Sequence, residues 1–217
     1  MSNFFSASEH SGQLPLKVKG SLIRREDIEA SAVEVFGHLK ARGNVTAERV
    51  KISGECSIGG ICRADQVENL GSLRVDSLQA ERVTSSGYLA VTQETRCGSF
   101  RAEGAVQLHT LKASQAIELR LGSACSIDHM SSDGLVTVVS SSMLLNLVMR
   151  PFRKLCCKSI KGTSIILERT RAELVSGEKI VIGPGCVIEE IRYGTSLAVD
   201  PKSKVTSAIH VSTTGGK

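Results

Sequence analysis

Five histidines, seven cysteines and a scatter of acids are the residues of this 217-residue chain most able to carry chemistry. Catalysis needs a nucleophile held beside a base, or two carboxylates facing each other across a cleft. His10, His38, His109, His129 and His210 are spread along the chain, and none stands at a repeating distance from a Cys, Asp or Glu. Cys56, Cys62, Cys97, Cys125, Cys156, Cys157 and Cys186 are odd in number and show no C-x-x-C pair. That spacing argues against a disulfide framework and a zinc site and favours reduced thiols serving as small core residues. Gly183-Pro184-Gly185 and Gly215-Gly216-Lys217 resemble phosphate loops superficially, but neither lies in the order of strand, loop, Lys-Ser/Thr and helix that a P-loop requires. No catalytic residue, cofactor or metal site is expected.

The elements that would position any site are set by an unusual composition. Two Tyr, five Phe and no Trp accompany a hydrophobic content of 41%, so the core must be narrow and aliphatic. A formal charge of +5, with acids interleaved among the bases, reads as a solvated surface. Without clustered bases and stacking aromatics, nucleic acid is not an expected partner. The sequence shows neither a secretory leader nor about 20 consecutive apolar residues, which places the expected location in the cytosol.

A repeat runs through this composition. Glycines stand at Gly20, Gly37, Gly54, Gly71, Gly87, Gly104 and Gly122, in steps of 16 to 18 residues. Apolar positions keep the same beat: Leu22, Leu39, Cys56, Leu73, Leu89 and Val106; Ile28, Val45 and Cys62; Ala30, Ala47, Ala64 and Ala80; Val33, Val50, Val67 and Val83. Within one period they come as alternating pairs, Leu39 with Ala41, Val45 with Ala47 and Val50 with Ile52, separated by polar or Gly steps. Alternation puts both members of a pair on one face of a strand. Three short strands per repeat then close a triangular coil of about 17 residues, and stacked coils form an all-β, three-sided parallel β-helix.

Proline placement agrees, because an interior strand cannot give up its N–H. None occurs between Pro15 and Pro151, and Pro184 and Pro201 sit 17 residues apart in turn sequences that look like one corner of successive coils. The pairs Ile180 with Leu197, Ile182 with Val199 and Ile188 with Val205 carry the stack onward, with Val148 and Ile165 extending one series backward. Between about 123 and 160 the register blurs and an insertion is expected, although Leu119 with Val136 and Leu121 with Val138 keep the step. Residues 142–152 are the most apolar stretch, favouring coil or core over a partner-binding patch. The domain then covers 17–211, between polar tails at 1–16 and 212–217.

The stretches Val45-Thr46-Ala47-Glu48-Arg49-Val50-Lys51-Ile52-Ser53-Gly54 and Gly60-Ile61-Cys62-Arg63-Ala64-Asp65-Gln66-Val67 resemble the bactofilin core, whose coils repeat Gly, aliphatic, Ala, two polar residues and aliphatic. The likeness covers residues 17–125 well and 160–210 loosely. It implies a right-handed β-helix that forms filaments without nucleotide through its terminal coils, as a scaffold in bacterial cell shape, polarity or motility. Bactofilins often carry a short apolar membrane peptide at the N-terminus, a role open here to Phe4 and Phe5 at the inner face of the membrane, with weak affinity. About eleven coils would exceed the usual stack.

Open coil ends give the same expectation a physical basis, since their unpaired backbone groups are templates for another chain. Leu16, Val18, Leu22 and Ile23 at one end and Leu197, Val199, Val205 and Ile209 at the other are the expected self-association surfaces. Filament-bound protein partners would follow from a scaffold role. Two rivals are a monomeric or dimeric adaptor with one flat binding face, and an acyltransferase of hexapeptide type with His38 or His109 as base. The sixfold Leu/Ile/Val signature of the latter does not fit paired 17-residue coils.

Overall fold

The computed structural model describes residues 14–140 and 154–211. Among these residues there are fifteen strands and no helix: β1 (Leu16–Val18), β2 (Ser21–Arg24), β3 (Ile28–Val35), β4 (His38–Ala41), β5 (Val45–Ile52), β6 (Glu55–Asn69), β7 (Ser72–Ser85), β8 (Tyr88–Ala102), β9 (Ala105–Leu121), β10 (Cys125–Ser132), β11 (Leu135–Ser140), β12 (Leu155–Leu167), β13 (Thr170–Ile182), β14 (Val187–Val199) and β15 (Lys204–His210). Every pairing is parallel and joins one coil to the next, giving a three-sided β-solenoid of about eleven turns. The right-handed sense expected for the winding is the one that parallel crossovers almost always adopt.

The alternating pairs seen in the sequence form the three sides. On the first, Leu22, Leu39, Cys56, Leu73, Leu89 and Val106 stack in register. On the second, Ile28, Val45, Cys62, Leu78, Thr95 and Leu111 do so, followed by Met130, Ile160, Val175, Ile191 and Ala208. The third side stacks Val33, Val50, Val67, Val83, Phe100 and Ile117, then Val136, Ile165, Ile180 and Leu197. These rows fill the interior with aliphatic side chains, and Phe100 is the largest among the fully buried ones. Each such burial is worth roughly 1.5–3 kcal/mol, but a single coil has too little interior to fold alone, so stability accrues by stacking.

The irregular region divides in two. Residues 125–140 and 155–160 complete coils, whereas the apolar stretch 142–152 falls within 141–153, outside the described residues. The register differs here from the sequence reading. Val136 pairs with Ile117 and Val138 with Leu119, not with Leu119 and Leu121, because the coil step lengthens to nineteen. Ile165 pairs with Val136 rather than continuing from Val148, and Cys125 pairs with Leu155, thirty residues on. Beyond that point the expected matches of Ile180 with Leu197, Ile182 with Val199 and Ile188 with Val205 hold. Pro184 and Pro201 occupy turns at the same corner, where the Ser203 hydroxyl donates to the Gly183 carbonyl at 2.7 Å and accepts from the Cys186 N–H at 2.9 Å.

The glycine ladder has a steric cause. At Gly37, Gly54, Gly71, Gly87 and Gly104 a Cβ would run into the carbonyl oxygen of the glycine one coil below, far inside van der Waals distance. The coils approach too closely at this corner for any side chain. Gly122 leaves the ladder, its nearest neighbour being the Glu103 carbonyl rather than Gly104. Gly20, in the first coil, has nothing within 4 Å of a built Cβ. Gly71→Ala should therefore cost about 1–3 kcal/mol by overpacking, read from denaturant midpoints, while Gly20→Ala should stay within about 0.5 kcal/mol.

Candidate functional site: the open ends of the stack

Both ends of the stack leave strands paired on one side only. Among the described residues β1 pairs with β3 alone, β2 with β4 alone and β15 with β14 alone. Among the described residues a row of backbone N–H and C=O groups is therefore without a strand partner at each end, the condition under which a sheet recruits another strand.

The expected end residues separate into two kinds. Leu16, Val18 and Leu22 at the first coil, and Leu197, Val199 and Val205 at the last, continue interior rows and complete the apolar cross-section. Ile23 and Ile209 do not. Ile23 lies in register with Lys40 and Ile209 with Arg192, so both point sideways, with exposures of 60% and 45%. The interior position of the last strand belongs to Ala208, in register with Ile191. Along one row of the third side, Val18 is 4% exposed and Val199 is 41% exposed, so the C-terminal coil leaves more of its core bare. Phe4 and Phe5 lie outside the described residues. No helix among the described residues is long and apolar enough to cross a membrane.

The histidines show what the sequence missed. His109 Nδ1 lies 3.0 Å from Asp128 Oδ2, nineteen residues on, so one histidine does stand one coil from an acid. Lys158 Nζ reaches the same carboxylate oxygen at 3.3 Å, and His129 meets the His109 ring edge-on, with 5.9 Å between centroids. The His109 hydrogen bond, backed by Lys158, holds the Asp128 carboxyl below its ordinary range. Here Asp128, Cys156, Lys158, Arg171, Glu173 and Glu189 line a shallow groove of about 410 Å³ on the first side. A His–Asp pair can activate a nucleophile, but the Ser159 hydroxyl in this cluster lies against His129 Nδ1, at 2.8 Å. Nor does any group of three metal-ligating side chains converge among the described residues. The other two described histidines are apart from it: His38 Nδ1 lies 3.3 Å from Ser21 Oγ, and His210 Nε2 is 2.7 Å from the Gly194 carbonyl.

All seven thiols are free, six are buried and Cys156 alone is half-buried. Burial pushes Cys56, Cys62, Cys97 and Cys157 up to about 12, which suits them to a core and not to nucleophilic work.

The described residues thus form a β-solenoid whose first and last strands are each paired on one side only, with the more exposed apolar interior at the last coil. No known family's profile matches it, and no solved structure matches it. It is similar to two proteins of Bacillus subtilis strain 168, both uncharacterised. YhbF is 33% identical over 88 residues, 41% of this chain and 37% of that protein; YhbE is 36% identical over 66 residues, 30% and 28%. The chain therefore spans only 37% of the length of one relative and 28% of the other.

The buried thiols generate a pH prediction. An unfolded thiol ionises near 9.0 and folded Cys62 near about 12, so across that window the unfolded chain sheds a proton that the folded chain keeps. The stability is present below the lower value and falls as pH rises, by up to about 1.4 kcal/mol per pH unit for each such thiol. Denaturant midpoints should drop between about pH 8 and about pH 10.5, and Cys62→Val should flatten that slope. A thiol reagent should label Cys156 alone until the protein unfolds.

Proposed function

We propose that this protein is a non-enzymatic, self-assembling scaffold of bactofilin type, whose coils join end to end into filaments without nucleotide. The observation that carries the reading is that, among the described residues, the first and last strands are paired on one side only. Leu197, Val199 and Val205 present interior side chains beside unpaired backbone groups, and the first coil offers Leu16, Val18 and Leu22 in the same cross-section. Another coil placed there would continue the hydrogen-bond ladder and the core together, a gain that needs no cofactor. In this reading the filament works inside a bacterial cell, supporting shape, polarity or motility, with partner proteins recruited along its length and any membrane contact weak and peripheral.

Negative-stain microscopy of the purified protein in nucleotide-free buffer should show filaments one solenoid wide. Val205→Glu, an interior position of the last coil, should raise the concentration needed for assembly at least tenfold, about 1.4 kcal/mol per contact, while circular dichroism stays β-rich. Ile209→Glu, which points sideways, should assemble much as the parent does. Discrete monomers or trimers in the parent protein would overturn the reading.

A further inference from the structure

One interior row ends on a histidine. On the second side the row that starts Ala30, Ala47, Ala64 and Ala80 finishes, at its last two rungs, with Tyr193 and His210. The other described histidines lie on outward rows: His38, His109 and His129 each stand next to a buried residue, Leu39, Leu108 and Met130 respectively. His210 belongs to the last strand, which among the described residues is paired on one side only, so its ring is on the surface that an added coil would cover. The ring sits against Tyr193 with 5.2 Å between centroids, and Nε2 is 2.7 Å from the Gly194 carbonyl oxygen, so Nε2 carries the hydrogen and donates it. A neutral ring bonded in this way gains its second proton at Nδ1.

We infer that His210 makes the C-terminal end contact sensitive to pH: an added coil is accepted over the neutral ring and opposed by the charged one. The inference rests on the filament reading. The groups around the ring offer a buried charge little help. On β14, Arg192 and Glu190 pair with each other. On β13, the Glu178 carboxylate fills the space beside Gly194 and accepts from the Thr195 hydroxyl at 3.4 Å. Lys179 of β13 and Lys204 of β15 are exposed cations, and His210 has no carboxylate partner among the described residues. Covering a charged imidazole there strips its water without compensation, whereas the neutral ring has its N–H already bonded. The covered end therefore binds fewer protons than the free end. Assembly is at full strength above the range in which imidazoles ionise and weakens as pH falls through it, by up to about tenfold per pH unit for each His210 covered.

Sedimentation of the full chain in nucleotide-free buffer, from about pH 7.5 down to about pH 5.5, tests this directly. The concentration threshold for assembly should rise severalfold toward the acid end, with circular dichroism unchanged. His210→Gln should remove that rise. His210→Lys, charged throughout, should hold the threshold high at both ends of the range. His129→Gln, in the middle of the stack, should keep the parent's dependence. A parent threshold that does not move with pH, or one that moves equally in His210→Gln, overturns the inference and leaves the filament reading standing. A parent that assembles at no pH in the range removes the filament reading, and this inference with it.

Discussion

Coil-to-coil hydrogen bonding is the constraint on which this molecule depends. Each strand has its neighbours only in the coils before and after it, so the backbone groups of one turn are satisfied by the two adjacent turns. The narrow aliphatic interior follows from the same geometry: the rows are mostly Val, Ile and Leu one rung apart, and among the described residues Phe100 is the one aromatic ring in the buried core. The glycine ladder follows too, since at that corner two carbonyl-bearing turns approach without room for a Cβ. Among the described residues only the terminal turns escape the constraint, because their outer edge has no strand neighbour.

The sequence made the fold legible wherever the coil step was constant. Four interior series read from residues 22 to 106 are the pairings of the structure, because a side-chain period of two locks each strand to one face and a constant loop length locks each coil to the next. At Val136 the step grows by two. Such a slip keeps every side chain on its proper face, so the reading of which residues are interior survived while the partners were wrong. That lengthened step also concealed the pairing of His109 with Asp128, which a fixed spacing of seventeen could not bring together.

Apolar character alone was a poorer guide at the ends than orientation. Ile23 and Ile209 look like continuations of the core in the sequence, yet each sits one residue off an interior position and points outward. Ala208, small enough to pass unnoticed, holds the interior place. Parity within the strand, counted from a neighbour whose burial is certain, would have separated the two kinds.

Ends and sides obey opposite rules in such a stack. A side has a fully bonded backbone, so its tendency to associate is set entirely by outward side chains; alternating Lys and Glu leave it content in water, and each exposed pair adds at most about 1 kcal/mol. An end has open hydrogen bonds whatever its side chains are, and a charge there acts mainly by spoiling the core that a partner would continue. End contacts therefore come with the architecture itself, whereas side contacts have to be written residue by residue. The outward row of the third side that runs from Lys17 through Thr84 to Glu118 continues as Thr137, Ile166, Val181 and Ala198 in unbroken register, so that second, editable property varies along the stack while the ladder beneath it does not.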